Sequence, residues 1–324
     1  MINILILSVG IRNKMVEYFR RELEGKGNVI AADCSGLAPA LYAADKYYIT
    51  PGYTEDNYLE ELLDICRKEN ISGVFSLIDP ELSVLAKNRA EFEKVGTKVL
   101  VSSYELCEVS LDKYAMYERL KALGITTAKC YADKGSFKAA LERGDISYPV
   151  FVKPVKGSAS LNINKVENET VLNNLFDSVP DLMIQEYMPG IEYDADAYVD
   201  MITGKCVSVF MKRKIRMRAG EADKAVSVND GAVLKMVADF AEKMGYRGMI
   251  DVDLFEDNGT WYVSEVNPRF GGGYPHAYES GVNFCKYVIK NLSGEVCEAE
   301  IGNYESGIYM MKYSEIMVRK GLKQ

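Results

Sequence analysis

The stretch from Met249 to Asn267 reads MIDVDLFEDNGTWYVSEVN, in which Ile250, Val252 and Leu254 alternate with Asp251 and Asp253. Period-two alternation of this kind predicts a strand with one apolar and one polar face. Asp257-Asn258-Gly259 is a turn, and the returning strand carries Glu265 and Asn267. A three-residue loop ending in Gly259 keeps the odd-numbered residues of both strands on one face, whereas a two-residue Asn-Gly turn sets Glu265 opposite Val252. The three-residue loop is the expectation, and it gathers Asp251 or Asp253 with Glu265 and Asn267 on one surface. Oxygen donors that converge without sulfur or imidazole suit a hard cation, Mg2+ or Mn2+, bound by carboxylates together with substrate phosphates. Pro268-Arg269-Phe270-Gly271-Gly272-Gly273 follows at once. Arg269 offers a forked donor for phosphate or carboxylate, and the glycines allow the backbone to approach a ligand closely.

Two further stretches belong with it. In Phe151-Val152-Lys153-Pro154-Val155-Lys156-Gly157-Ser158-Ala159-Ser160, a lysine closes an apolar strand and a loop of small residues follows. That places a fixed cation beside free N–H groups and hydroxyls, a cradle for phosphate, although a plain hairpin loop has the same composition. It is not a Walker A sequence. In Met183-Ile184-Gln185-Glu186-Tyr187-Met188-Pro189-Gly190-Ile191-Glu192-Tyr193, an apolar strand breaks at Pro-Gly and a new strand starts at a carboxylate. Such a linker exposes backbone groups that can pair with a purine edge, and Glu192 can accept from ribose hydroxyls; an ordinary strand connection looks the same.

The elements that must hold these residues change character along the chain. Apolar runs at 2–9 and 29–32 enclose a segment with helical spacing of Met15, Val16, Phe19 and Leu23, a β-α-β unit. Strands at 47–50, 73–78 and 98–101 and helices at 57–69 and 80–95 continue the alternation, so residues 1–105 read as a Rossmann-like, doubly wound α/β domain. After a helix at 111–123 the strands lengthen and pair in sequence: 150–154 with 159–166, 182–188 with 193–201, then 205–210, and 249–255 with 260–266. With helices at 137–142, 170–176 and 231–244 this part is α+β, antiparallel sheets covered on one face. A helix at 284–292 and a strand at 308–315 close the chain.

Composition narrows the chemistry. With 39 Lys and Arg against 47 Asp and Glu the net charge is -8, which disfavours nucleic acid or an anionic membrane as partner. No apolar run approaches the roughly 20 residues of a membrane span. Seven cysteines without a C-x-x-C pair fit a reducing cytosol, so a cytoplasmic location is expected. One histidine, His276, leaves little material for a His-rich metal site or a Ser-His-Asp triad; it reads as a buried side chain or a substrate contact. Ser8-Val9-Gly10-Ile11-Arg12-Asn13 follows the first strand without the G-x-G-x-x-G of a dinucleotide site. Asp79, before Pro80, reads as a helix N-cap or as a ligand contact. The run from Lys212 to Arg218 reads as a solvated face, with Lys214 and Arg218 as candidates to line a phosphate cleft.

The order Lys113, Lys153, small-residue loop, Gln185 to Met188, Glu192, Asp253 and Glu265-x-Asn267 resembles the ATP-grasp superfamily over roughly residues 1–290. It most resembles the carbamoyl-phosphate-synthetase-like members, and the pyrrolysine-pathway ligase type is similar too. The resemblance implies a Rossmann-like pre-ATP-grasp domain at 1–105 and a two-subdomain ATP-grasp fold at 106–290, its central subdomain at about 115–188. Residues 291–324 would be a C-terminal extension packing on it. Lys113 and Lys153 would contact ATP phosphates, with Lys156 to Ser160, including Ser158 and Ser160, as the flap over them. Gln185, Glu186 and Met188 would meet adenine and Glu192 the ribose. Asp253, Glu265 and Asn267 would hold Mg2+ (or Mn2+), with Asp251 the alternative to Asp253, and Arg269 would steady the phosphate or acyl-phosphate. The implied activity is an ADP-forming ligase that activates a small carboxylate with ATP and joins it to an amine, less often a thiol. Small carboxylate and amine substrates are the implied partners, and a homodimer is a possible assembly. The alternatives are a carbamoyl-phosphate-synthase-like subunit and a nucleotide-binding sensor without turnover.

Overall fold

The computed structural model describes residues 1–157, 164–218 and 220–321. The first hundred residues alternate as their sequence pattern predicts: β1 (Asn3–Leu7), α1 (Asn13–Leu23), β2 (Val29–Asp33), β3 (Lys46–Ile49), α2 (Tyr58–Glu69), β4 (Ile71–Ser76), α3 (Asp79–Lys87), α4 (Arg89–Lys94) and β5 (Lys98–Val99). The five strands form a parallel sheet in the order β3-β2-β1-β4-β5. β1 is buried throughout because helices cover both faces, which is why its sequence is a continuous apolar run rather than an alternating one. α1 buries Met15, Val16, Phe19 and Leu23, the stripe expected from their spacing, together with Tyr18. The expected single helix at 80–95 is two, broken at Asn88, whose side-chain amide donates to the Val84 carbonyl at 2.9 Å and competes with the helical ladder. Asp79 is not an N-cap. It is the first residue of α3, and no side chain caps that helix.

The expected helix at 111–123 is α6 (Lys113–Ala122), and a further helix, α5 (Tyr104–Leu111), precedes it. Asp112 separates them by capping α6, accepting from the Tyr114 and Ala115 N–H groups at 3.1 and 2.9 Å. Then come β6 (Cys130–Tyr131), α7 (Lys134–Glu142), β7 (Val150–Pro154), β8 (Asn164–Val166), α8 (Glu169–Ser178) and β9 (Leu182–Glu186). The four strands form one antiparallel sheet in the order β6-β9-β7-β8. The expected pairing of 182–188 with 193–201 does not occur, because Pro189-Gly190 carries the chain out of this sheet and into the next. Pro189 has no N–H for a ladder. Gly190 passes so close to the next sheet that a Cβ there would lie 2.1 Å from the Glu256 carbonyl oxygen.

That next sheet contains β10 (Ile191–Val199), β11 (Cys206–Arg218), β12 (Glu221–Val228), β13 (Gly248–Asp257) and β14 (Thr260–Asn267), with α9 (Gly231–Met244) against one face. After α10 (Tyr274–Glu279) and α11 (Phe284–Leu292), β15 (Tyr309–Met311) adds an edge strand. The order is β14-β13-β10-β11-β12-β15. β11 extends well past the expected 205–210, and its partner β12 has no counterpart in the sequence reading, which took the basic run as a solvated face. The β13–β14 turn is the two-residue type: Asp257 pairs with Thr260, and Asn258 and Gly259 have φ of 50 and 81°. A bulge at Ser264 then shifts the register, so that Glu265 lies opposite Asp253 and Asn267 opposite Asp251. The polar residues share a face as expected, but a bulge gathers them rather than a longer loop. Among the described residues no helix is long and apolar enough to cross a membrane.

The close approach at Gly190 gives a test. Gly190→Ala should cost about 1–3 kcal/mol, because a methyl must displace the Glu256 backbone of β13. Gly231→Ala, at the open first position of α9 with no atom within 4 Å, should be neutral or stabilising. Equal melting temperatures for the two variants would contradict the assigned hinge contact.

Candidate active site

The registers of the six-stranded sheet set out two rows of side chains on the face away from α9. Across β14, β13, β10 and β11 one row is Glu265, Asp253, Asp194 and Lys212, and the next is Asn267, Asp251, Asp196 and Phe210. Residues directly opposite across an antiparallel pair have Cβ atoms about 4.5–5.5 Å apart, so the carboxylates of each row are neighbours. The opposite face carries Ala195, Ala197, Val209, Met211, Ile250, Val252 and Leu254, which pack against α9. Apolar alternation thus fixes which side faces the core and thereby forces the charged residues into one layer.

Like charges in adjacent positions repel, and Lys212 is the compensation. Its side chain has no solvent exposure, and its Nζ lies 2.5 Å from Asp196 Oδ2 and 3.0 Å from Asp194 Oδ1. Burial alone would lower the Lys212 pKa, but Asp194, Asp196 and Asp251 outweigh it and raise it. Burial alone would raise Asp194, but Lys212 and Lys214 bring it below the ordinary range. Burial pushes Asp196 up to about 6 despite Lys212, with Asp194 adding to the shift. Asp251 is pushed well up, by burial first and then by Asp194, Asp253 and Asp196. One Asp251 oxygen, Oδ1, is buried without a hydrogen-bond partner. The oxygens of Asp194, Asp196 and Asp251 lie within 4.8 Å of one another, close enough to hold a cation, and the Lys212 ammonium lies within reach of two of them. None of Asp194, Asp196 or Lys212 stood out in the sequence. The usable signal was the alternation Asp194-Ala195-Asp196-Ala197, polar and small apolar residues in strand period.

Further out in the sheet, Lys214 contacts Asp253 and lies 3.9 Å from Glu192 Oε2. Lys214 is thus a cleft residue, while Arg218 is exposed near the far end of β11. The Glu265 side chain makes no hydrogen bond or ion pair among the described residues. The charge it shares space with comes from the other sheet: Lys153 of β7 is buried, burial lowers its pKa, Glu265 is the largest opposing influence with Asp253 a smaller one, and Lys113 adds to the lowering. Lys153 on the four-stranded sheet therefore lies within electrostatic reach of Lys113, at the start of α6, and of Glu265 and Asp253 on the six-stranded sheet. Lys113 is the first residue of α6; its backbone N–H donates to the Val155 carbonyl at 2.9 Å and its ammonium to the Gly157 carbonyl. The Lys156 backbone forms an isolated antiparallel bridge with that of Asp112 beside it. Ser158 and Ser160 lie outside the described residues.

At the inner end of the cleft, Gln185 is buried and Glu186 ends β9, its N–H donating to the Lys129 carbonyl at 2.8 Å. Met188 is buried in the linker, and Glu192, second in β10, is half exposed. Asp251 is buried in the second row with Asn267, whose amide reaches its Oδ2 at 3.5 Å. Asp253 is more open, at 31% side-chain exposure. The donors at Asp253, Glu265 and Asn267 are all oxygens, with one unpaired carboxylate among them, and this set fits a hard cation such as Mg2+.

Arg269 spans from this site to the first domain. Its Nε lies 3.0 Å from the Asp79 carboxylate and its Nη1 3.6 Å from Asp251 Oδ2. Asp79 thus acts as a tie between domains. The glycines that follow serve the chain's own charges: a Cβ at Gly271 would meet Asp251 at 2.7 Å, one at Gly272 the Glu221 carboxylate at 2.2 Å, and one at Gly273 the Lys212 Cε at 2.5 Å. They allow the loop to lie directly on Asp251, Glu221 and Lys212. His276 is buried, with Nε2 donating to the Ile308 carbonyl at 2.9 Å, so it holds the chain before β15 rather than touching the cleft.

Residues 110–273 match the family model of the ATP-grasp domain, and residues 4–100 match that of the PylC-like N-terminal domain. The chain belongs to the ATP-grasp family. Among curated proteins, the arginine-specific large chain of carbamoyl phosphate synthase from Bacillus subtilis (strain 168) is 27% identical over 241 residues, covering 70% of this chain and 22% of that protein. The large chain from Thermoanaerobacter sp. (strain X514) is 26% identical over 283 residues, covering 79% and 25%. The chain spans about a quarter of the length of these relatives. Among solved structures, N5-carboxyaminoimidazole synthetase from Staphylococcus aureus complexed with ADP superposes with a TM-score of 0.74 at 16% identity, over 92% of this chain and 79% of that one. L-amino acid ligase from Bacillus licheniformis superposes with a TM-score of 0.69 at 20% identity, over 92% and 75%. These likenesses show a shared fold.

Two measurements check the electrostatics. Lys212→Met should cost about 3–5 kcal/mol, since it leaves Asp194 and Asp196 buried without their counter-charge; an unchanged melting temperature would contradict this. His276 is the sole histidine, so its imidazole gives one NMR signal. Burial first and Lys212 second, against the Ile308 carbonyl and Asp194, lower its pKa to about 4. The signal should keep its neutral-form shift down to pH 5, and the contribution to stability, full above the unfolded value of about 6.5, should fall as pH drops from there toward 4. A midpoint near 6.5 would refute the buried neutral state.

Proposed function

We propose that this chain is an ATP- and Mg2+-dependent ligase that activates a small carboxylate as its acyl-phosphate and joins it to an amine, releasing ADP and phosphate. The observation that carries this reading is that Lys153 on the four-stranded sheet, with Lys113 at the start of α6 near it, lies within electrostatic reach of Glu265 and Asp253 on the six-stranded sheet. Such an arrangement meets the charge of a triphosphate from one side and its counter-cation from the other.

In this reading Lys113 and Lys153 bind the phosphates, and Lys156, Ser158 and Ser160 close over them. The Glu186 carbonyl and the Met188 N–H are suited to an adenine edge, which presents a donor beside an acceptor. Gln185 lies next to them and Glu192 takes the ribose hydroxyls. Asp253, Glu265 and Asn267 hold the metal, with Asp253 preferred to Asp251 because it opens to the cleft while Asp251 is buried. Bound there, Mg2+ would neutralise charge on the phosphate oxygens. Lys214 must then leave Asp253. The substrate carboxylate oxygen attacks the γ-phosphorus and ADP departs; the amine nitrogen then attacks the acyl carbon, and phosphate leaves as the amine gives up a proton. Arg269, held by Asp79, is placed to steady the oxygens that gain charge at both steps, and the clamp keeps water from the acyl-phosphate. The division at residues 105 and 290 belongs to this reading, as do a cytosolic location and a homodimer. Free cysteines, all buried except Cys34, support the cytosolic part.

The test is ATP-dependent phosphate release over paired carboxylates and amines, with bicarbonate included for the carbamoyl-phosphate-synthase-like alternative. Glu265→Gln should lower turnover at least about 100-fold with the melting temperature kept. Retained turnover would remove the metal assignment. ATP binding without phosphate release from any pair would favour a nucleotide sensor.

A further inference from the structure

The two lysines of β11 meet the acidic rows, and they are held differently. Lys212 is paired on both sides, with Asp194 of β10 and Ser227 of β12, and its side chain has no solvent exposure. Lys214 is the first residue of β11 beyond the ladder with β10, which ends at the pair of Tyr193 and Arg213. On its other side the ladder with β12 slips between Lys214 and Arg216, a bulge that leaves Ile215 unpaired there. The Lys214 backbone is therefore less constrained than that of Lys212, and its side chain lines a cavity together with Glu192 and Arg216. β10 lies between β11 and β13, so the side chain crosses β10 to pair with Asp253, and Glu192 Oε2 is 3.9 Å from its Nζ. Lys214 itself is 8% exposed, but Asp253 and Glu192 are 31 and 45% exposed, so a ligand entering from solvent meets both of its acceptors.

The two carboxylates of the proposed metal set are thus unequal. Asp253 already holds an ammonium, whereas among the described residues no lysine or arginine lies within ion-pair distance of Glu265. An ammonium and a divalent cation on one carboxylate repel each other. A metal ion arriving alone therefore finds one carboxylate available and must displace Lys214 to use the second. A triphosphate changes that balance. With Glu192 on the ribose and Asp253 on the metal, the phosphate chain runs between them, past the place of the Lys214 ammonium. Phosphate oxygens there accept from the ammonium in place of Asp253 and leave that carboxylate to the metal.

We infer that Lys214 is a gate on the metal site: it withholds Asp253 from the cation until a triphosphate draws the ammonium away, which makes metal binding conditional on nucleotide. This rests on the ligase reading for the placing of ribose and metal. Coupling between two ligands is reciprocal, so the metal strengthens nucleotide binding by the same factor as the nucleotide strengthens metal binding. Part of that factor passes through Lys214. Lys212 takes no part, because its ammonium is enclosed between Asp194 and Asp196.

The experiment follows Mn2+ binding to the full chain by electron paramagnetic resonance, without nucleotide and with a non-hydrolysable ATP analogue. Without nucleotide, Lys214→Met should bind Mn2+ at least tenfold more tightly than the parent. The factor by which the analogue strengthens Mn2+ binding should fall at least tenfold in the same variant. Lys214→Arg, which keeps the charge, should stay within about threefold of the parent in both. Lys214→Gln keeps a donor for Asp253 without the charge and should follow Lys214→Met, so that if one variant loses its melting transition the other decides. Nucleotide-free Mn2+ affinity that is unchanged in the folded uncharged variants would overturn the gate. So would Mn2+ binding by the parent that is as tight without the analogue as with it. Adding Glu265→Gln to Lys214→Met should abolish the gained binding; its retention would also overturn the gate, because the ion would lie elsewhere. The ligase reading fails separately, through absence of phosphate release from ATP with every substrate pair while Mn2+ binding still depends on Lys214.

Discussion

The ammonium of Lys212, closed off from solvent between Asp194 and Asp196, is the interaction on which the rest of the site depends. An antiparallel sheet with one apolar face leaves its other face to whatever residues fall between the apolar ones, and here those residues are mostly carboxylates in two adjacent rows. Five carboxylates in neighbouring positions with no counter-charge would not stay ionised in a protein interior, nor would the strands hold their register. Lys212 removes part of that repulsion from within, and the remainder is taken up by Arg269 on one side and Lys214 on the other. The Gly271-Gly272-Gly273 loop then closes over the cluster, because any side chain there would collide with Asp251, Glu221 or Lys212.

That buried layer separates two acidic groups with different roles. Asp194, Asp196 and Asp251 are buried beneath the loop, the first two paired with Lys212, and act as the floor. Asp253 and Glu265 stand at the edge of the same rows, where the second sheet brings Lys153 across the cleft. The first domain joins the same layer through Asp79 and Arg12, so the site lies where three sheets meet. Its geometry depends on the Pro189-Gly190 crossing between two of them and on the Arg269–Asp79 contact with the third.

Much of this was legible from local pattern. The apolar run of β1, the helical stripe of α1 and the alternation of Asp251 and Asp253 with Ile250, Val252 and Leu254 each report the local environment, and the structure reproduces them. The ATP-grasp resemblance was legible too, because Glu265-Val266-Asn267-Pro268-Arg269 is contiguous. What escaped was set by distant partners. Residues 212–218 look like a solvated run because nothing in their neighbourhood says that Asp194 and Asp196, many residues earlier, bury Lys212. The β13–β14 register was misjudged because the bulge at Ser264 has no glycine or other turn residue to mark it. Asp79 satisfies every local criterion for a cap, yet its carboxylate is drawn to Arg269, a partner across the whole chain. The pairing of 182–188 with 193–201 failed for a similar reason: a short Pro-Gly break can mark a crossing between sheets as well as a turn.

The central claim is that the cation site is formed by Asp253 and Glu265 at the open edge together with buried Asn267, and that the buried triad of Asp194, Asp196 and Asp251 is filled by Lys212. Mn2+ binding followed by electron paramagnetic resonance, with and without ATP, tests it most directly. The account predicts tight Mn2+ binding that requires nucleotide, is lost in Glu265→Gln and survives Asp196→Asn. Mn2+ binding that is independent of nucleotide, persists in Glu265→Gln and disappears in Asp196→Asn would contradict it.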